Sequence, residues 1–240
     1  MAVELALIEQ LREFDTPTVA ESLLALGCKD NHRFYMGGDV KLLTSVPEPM
    51  VGVAVTVDAD TSTPQRESYK QGLFDAIDQM AACNLPAVVV MKVIGSRPGH
   101  ECVAGDGMGK LFQVAGCAGI VSDGGARDLD GLSRIGFAMF GSGAVCDHAT
   151  LHYTLADAPV TVSGVTIDHG DLLHGDNNGV HLVPQPYHHA IVEACCLTRD
   201  FETRAHIVQR RSDLALKERL NQSNKLAADR ADKCRKLMQS

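Results

Sequence analysis

Residues 85–95 read LPAVVVMKVIG, proline-led, valine-rich and apolar at odd and even positions alike. A strand covered on one face alternates apolar and polar residues, whereas one covered on both faces does not, so this run predicts a central strand of a sheet with material on either side. Upstream, MVGVAVTVDAD sets Val51, Val53, Val55 and Val57 against small or polar residues, the pattern of a half-buried strand. Between the two, Leu73, Phe74, Ile77, Met80 and Ala81 recur at helical spacing over residues 68–81. Beyond residue 95 come a glycine-rich loop, a short helix over 108–115, the strand AGIVSDG, a helix over 129–135 and the strand FAMFG. Strand and helix alternating at this interval predict an α/β fold with a mostly parallel central sheet layered with helices.

The flanks read differently. MAVELALIEQ carries Glu4 and Glu9 among apolar residues and has no basic leader, so it reads as an amphipathic helix and not a signal peptide. In DTPTVAESLLALG, Thr16 suits a cap, Pro17 the first helical position and Gly27 the closing turn, with Thr18 and Glu21 forming an alternative capping box one register later. After Pro159, short strands are punctuated by Gly, Asp and Asn turns. The last fifty residues, from near Pro186, predict one long helix or two. The first half has an apolar face (Ile191, Ala194, Cys195, Phe201, Val208), and from about Asp213 the segment is charged and lacks a stripe. The expected division is a single domain over 1–212 and a charged helical extension over 213–240.

Formal net charge is −8, so a nucleic-acid partner is not expected, because phosphate binding wants a basic face. The longest apolar run, residues 85–91, is too short to span a bilayer. The eight cysteines show no Cys-x-x-Cys spacing and read as reduced thiols of a cytoplasmic protein.

Chemistry concentrates in GDGMGKLFQVAGCAGIVSDGGARD, residues 105–128. Arg127 and Asp128 follow a predicted parallel strand, and ligands of open α/β sheets bind at such strand ends. Asp106 precedes Gly107-Met108-Gly109, where a helix starts and unpaired N–H groups favour an anion. An arginine fork grips a carboxylate through two hydrogen bonds, and two aspartates offer hard oxygen ligands to Mg²⁺. Such a pocket suits a 2-keto acid, although Arg-Asp neighbours are more commonly surface pairs and Gly-Asp-Gly segments turns.

The stretch resembles the 4-hydroxy-4-methyl-2-oxoglutarate aldolases and the related RraA-like regulators of RNase E activity. Asp106, Arg127 and Asp128 stand in the Asp-x20-Arg-Asp pattern of the aldolase branch. TPTVAESLLALG, GVAVTV and GDLLHGDNNGVHLVP are similar to that family's opening helix, first core strand and late Gly-Asp-rich segment. The resemblance implies an RraA-like α/β/β sandwich of the swivelling phosphohistidine-domain kind, with a C-terminal helical arm, assembled as a homotrimer or hexamer. It implies a metal-dependent lyase that releases pyruvate from a 4-hydroxy-2-keto acid, with oxaloacetate decarboxylation as a side activity. Asp128 would ligate Mg²⁺ or Mn²⁺, Asp106 would hold the ion's waters, and Arg127 would bind the keto acid. Amides of Gly107, Met108 and Gly109 would take its carboxylate, and Glu202 of a neighbouring subunit, with Glu193 behind it, would complete the site. The alternative within the same family is a non-catalytic regulator of an RNA-degradation enzyme. That branch shows Gly at the position of Asp106 and an acid at that of Gly131, and this chain has the opposite at both. Departures are Glu21 where Asp is usual, Asp176-Asn177-Asn178 where the family has an aspartate run, and an unfamiliar SRPGHECVA over 96–104.

Other residues invite chemistry less. His148 and His152 have zinc-like spacing but no glutamate between them, His188 and His189 read as solvated, and Cys195-Cys196 reads as packing. Cys117 has no basic neighbour to acidify it, Lys110 sits on an exposed helix position, and no glycine-rich fingerprint supports a methyltransferase.

Overall fold

The structure is a computed structural model and describes residues 3–60, 69–95, 99–100, 102–147, 152–155 and 159–239. Two compact units divide the chain: Met1–Thr16 with His32–Gln185, and Pro17–Asn31 with Pro186–Ser240. In chain order the first holds α1 (Leu5–Leu11), the start of α2 (Thr16–Ala25), β1 (Lys41–Leu42), β2 (Met50–Asp60), α3 (Gln71–Cys83), β3 (Ala87–Ile94), β4 (Cys102–Ala104) and α4 (Asp106–Val114). It continues with β5 (Cys117–Ser122), β6 (Gly125–Ala126), α5 (Leu129–Arg134), β7 (Ala138–Gly141), β8 (Gly143–Ala144) and β9 (His152–Leu155). Two hairpins finish it, β10 (Val160–Val162) with β11 (Val165–Ile167) and β12 (Leu172–Asp176) with β13 (Gly179–Val183).

The main sheet runs β1-β7-β5-β3-β2-β12-β13, with β9 also on β2. Its centre, β2, β3, β5 and β7, is parallel and its flanks are antiparallel, so the sheet is mixed around the expected parallel core. The β3 side chains explain why the run is apolar throughout. Val89, Met91 and Val93 join a core with Phe112, Leu132 and Phe137, under α4 and α5. Val88 and Val90 join a second core with Val160, Val162, Val165 and Ile167 from the β10–β11 hairpin. The result is an α/β sandwich with helices on one face and strands on the other. The hairpin turns tightly through Ser163 and Gly164, both at positive φ, the backbone of a type I′ turn.

A second, three-stranded parallel sheet, β4-β6-β8, was not foreseen. It is built from two- and three-residue strands, too short to show a period. The Asp-Asn-Asn turn is structural: Asp176 accepts the Asn178 backbone N–H (2.7 Å) on one oxygen and the Thr16 N–H (2.8 Å) on the other. Thr16 Oγ1 lies 2.9 Å from His174 Nδ1, tying the start of α2 to β12.

In the second unit the C-terminal segment forms two helices, α6 (Ile191–Gln209) and α7 (Leu216–Leu237), which pack on each other. They lie on either side of residue 212 and belong to the same unit. α6 begins five residues after Pro186, because Gln185–Tyr187 make a 3₁₀ turn first. In α7 only Cys234 is fully buried. Its surface is laced by pairs such as Lys233–Asp229 and Lys236–Asp232, each at 2.8 Å and four residues apart. Glu21 on α2 pairs with Arg230 at 2.8 Å, and the Arg230 guanidinium lies 4.5 Å from the Phe201 ring centre. Among the described residues no helix is long and apolar enough to cross a membrane. Among the described residues, which include all eight cysteines, no disulfide forms.

Candidate functional site

The small sheet is what assembles the site. β4 and β6 lie side by side with Ala104 opposite Ala126, and the Arg127 N–H donates to the Ala104 carbonyl at 3.0 Å. The chain therefore leaves these neighbouring strands in the same direction, delivering Gly105-Asp106 from one and Arg127-Asp128 from the other. Arg127 and Asp128 sit beyond β6 rather than directly beyond β5, as the sequence suggested; the turn after Ser122 inserts the extra strand.

A cavity of about 640 Å³ opens over these strand ends. Asp106, Gly107, Met108, Arg127 and Asp128 line it together, so the structure brings together most of the expected site. α4 starts at Asp106, two residues earlier than expected, with Gly105 as its N-cap. This shifts the donors. The Gly109 N–H is committed to the Gly105 carbonyl (3.0 Å), and a Cβ on Gly109 would lie 2.3 Å from Leu132 Cδ2, so this glycine serves helix packing. The first-turn amides are those of Asp106, Gly107 and Met108. Glu202 and Glu193 lie on α6 of the second unit, whereas the described residues that line the cavity belong to the first unit.

Charges at the site are mutually engaged. Lys110 Nζ lies 2.6 Å from Asp106 Oδ2, one helical turn away, and this hydrogen bond holds the Asp106 carboxyl below the usual carboxylate range. Lys110, read from sequence as merely solvated, is thus the cation facing Asp106. Arg127 Nε lies 3.4 Å from Asp128 Oδ2, with both side chains partly exposed. Asp128 has φ +54° and ψ +36°, a left-handed conformation that Asp and Asn adopt most readily among residues with a Cβ. This backbone is what turns its carboxylate back toward Gly105.

Gly105 and Gly131 make room for the carboxylates. A Cβ on Gly105 would lie 2.8 Å from Asp128 Oδ2 and 3.2 Å from Arg127 Cγ. A Cβ on Gly131 would lie 2.9 Å from Asp106 Cβ and Oδ2, so Asp106 occupies the space that a side chain at 131 would need. Gly105 has an extended backbone, which alanine tolerates, so Gly105→Ala is expected to leave folding intact and displace Asp128. Ligand affinity or turnover should fall about tenfold or more, as for loss of a supporting contact at a metal site. Thermal unfolding beside an activity or binding assay checks this, and unaltered function would remove Asp128 from the site.

Sequence reasoning missed the rest of the wall: Lys70, Leu73, Phe74 and Ile77 around α3, Leu111 and Phe112 of α4, Cys102 and Tyr153. Leu73 and Phe74 both read as core, yet Phe74 is 53% exposed at the cavity. Tyr153 donates its hydroxyl to the Val103 carbonyl (2.8 Å), and burial pushes its phenol pKa up. Burial raises the Cys102 thiol, and it pushes Cys117, outside the cavity, to about 12. His148 of the zinc-like pair lies outside the described residues.

Among the described residues no cluster of three or more His, Cys, Asp or Glu side chains could cage a metal. The donors present are two carboxylates at one end of an open cavity. They fit a hard cation such as Mg²⁺, which keeps several waters and uses one or two carboxylates, and not a zinc-type cage.

Strand-end carboxylates, an arginine and helix-start amides line one cavity of this α/β sandwich. Residues 16–182 match the RraA-like family, described as Aldolase/RraA, and the chain belongs to that family. A putative 4-hydroxy-4-methyl-2-oxoglutarate aldolase of Halalkalibacterium halodurans is 30% identical over 86 residues, 35% of this chain and 41% of that protein. An uncharacterized protein of Methanocaldococcus jannaschii is 29% identical over 44% of this chain and 51% of its own length. The chain thus spans about half the length, or less, of these relatives. Among solved structures, Streptomyces coelicolor RraAS2, described as an unusual member of the RNase ES inhibitor RraA protein family, superposes with TM-score 0.66 at 25% identity, covering 88% of this chain and 99% of that one. An uncharacterized Pseudomonas syringae protein gives TM-score 0.66 at 24% identity over 91% and 98%, a likeness of fold.

Proposed function

We propose that the chain is a divalent-cation-assisted lyase that releases pyruvate from a 4-hydroxy-2-keto acid and decarboxylates oxaloacetate at the same site. The observation that carries this reading is the convergence of Asp106, Arg127, Asp128 and the helix-start amides on one cavity. Asp128, supported by Asp106, would hold Mg²⁺ or Mn²⁺. The bound cation supplies positive charge where electrons accumulate as the carbon–carbon bond breaks. The Gly107 and Met108 amides receive the substrate carboxylate at the positive end of α4. Arg127 holds the keto oxygen and stabilises the charge that develops on it. Asp106 stands at the same end to hold the water that takes the C4 hydroxyl proton. The C3–C4 electron pair then passes toward the C2 carbonyl, and C3 is protonated to give pyruvate. Glu202 from a second copy of the chain is the proposed partner of Asp106.

A second reading, a non-catalytic regulator of an RNA-degrading enzyme, has its own support. The RraAS2 structure matches along nearly its whole length, whereas the aldolase-named relative is matched over 41% of its own. On relatives alone the regulator is the better supported, and the Lys110–Asp106 pair is compatible with a site not built for turnover. The cavity and its charged end favour the lyase. Assaying pyruvate release from oxaloacetate and from 4-hydroxy-4-methyl-2-oxoglutarate, with Mg²⁺ and then with EDTA, separates the two. The lyase predicts release that stops with the chelator. No release, together with stoichiometric capture of an RNA-degrading endonuclease, establishes the regulator.

A further inference from the structure

Each aspartate of the charged end has its own cation. Arg127 Nε lies 3.4 Å from Asp128 Oδ2, and Lys110 Nζ lies 2.6 Å from Asp106 Oδ2. The two pairs are placed differently. Arg127, Asp128 and Asp106 line the cavity, whereas Lys110 reaches Asp106 from one turn further along α4 and is not one of the described lining residues. The same oxygen of Asp106 also lies over α5, where a Cβ on Gly131 would come within 2.9 Å of it. Asp106 Oδ2 is thus held between Lys110 and α5. Its carboxylate cannot turn toward a cation on Asp128 without breaking the lysine pair.

A partly exposed pair four residues apart on a helix adds little to stability, so its consequence lies in the site. Mg²⁺ is bound through one or two carboxylates, and each adds charge that tightens the site. An ammonium on Asp106 opposes the second of them twice over, by offsetting its charge and by occupying its oxygen.

We infer that Lys110 is a positioning residue that holds Asp106 back from the divalent cation, leaving the cation to Asp128 and weakening its binding. The use of this restraint rests on the lyase reading: Asp106 is kept for the water that takes the substrate's proton.

The test is Mn²⁺ titration of the full chain by paramagnetic resonance, without substrate, beside pyruvate release from oxaloacetate. Lys110→Met removes the charge and keeps a long, helix-forming side chain, so its unfolding midpoint should stay with the parent's. Mn²⁺ should bind about fivefold or more tighter, as expected when a nearby positive charge is lost and a second carboxylate is released. Meanwhile kcat should fall about tenfold or more, the usual loss of a group that orients a metal site's ligands. Affinity and turnover moving in opposite directions separate this role from structural damage, which would lower both. Lys110→Arg keeps a cation in place and should return both toward the parent values. Because the effect passes through Asp106, Asp106→Asn/Lys110→Met should gain little Mn²⁺ affinity over Asp106→Asn. Mn²⁺ affinity unchanged or weaker in Lys110→Met, or a full gain in the Asp106→Asn background, overturns the inference; chelator-sensitive pyruvate release by the parent would still leave the lyase standing. Tighter Mn²⁺ binding in Lys110→Met with no pyruvate release from either chain sinks the lyase and supports the hold on Asp106. No Mn²⁺ binding by either chain overturns both.

Discussion

Asp128→Asn should lower pyruvate release by on the order of 10²–10³-fold or more, the loss seen when a charge-stabilising group is removed at the reacting centre. Its unfolding midpoint should stay close to that of the parent chain. Asparagine is the informative replacement because residue 128 is left-handed, with φ +54°. Asparagine keeps the shape and tolerates that backbone, whereas alanine there adds roughly 1–2 kcal/mol of strain and confuses stability with chemistry. The variant removes the negative charge from the Arg127 pair and from the proposed cation site. Mn²⁺ affinity, read by paramagnetic resonance, should fall with turnover. Turnover and Mn²⁺ affinity both equal to those of the parent would sink the proposed role of Asp128.

Acid should destabilise the first unit through two buried histidines. His174 on β12 and His181 on β13 face each other in the hairpin register and are almost fully buried. Burial lowers both pKa values, that of His181 to about 4, with the neighbouring His174 pushing the same way. The carbonyls of Leu11 and Leu182 and the carboxylate of Asp176 oppose the shift without cancelling it. A proton therefore prefers the unfolded chain, where histidine titrates near 6.5. The neutral imidazoles' contribution is complete above pH 6.5 and is lost as pH falls from there through 4. For His181 alone the loss approaches about 3 kcal/mol, a large share of a domain's net stability. Urea midpoints measured at pH 7 and 4.5 should show the decline, and His181→Gln should flatten it. An equally steep decline in that variant would transfer the effect to carboxylates elsewhere.

Helix and strand order was legible because it rests on local periodicity. Valine on both faces of β3 and spaced apolar residues in α3 are signals carried by adjacent positions, and no distant contact is needed to see them. Asp106, Arg127 and Asp128 were legible for a related reason: charges among glycines after an apolar run have no place in a core. What stayed hidden depends on neighbours far along the chain. The strands β4, β6 and β8 are two or three residues long and exist only because each completes the others' hydrogen bonds. Phe74 obeys the same helical spacing as Leu73, and only tertiary packing decides that Leu73 is buried and Phe74 half exposed, although both line the cavity. Lys110 carries no mark of its role beyond standing four residues after Asp106.

The order of the helices and long strands and the parallel centre of the sheet were thus legible in short-range pattern, and Asp106, Arg127 and Asp128 stood out there as candidates. The shape of the cavity, the donors left at the start of α4 and the room that Gly105 and Gly131 leave for two carboxylates were settled by tertiary packing. They depend on which backbones approach within a few ångströms, and sequence periodicity carries no information about that.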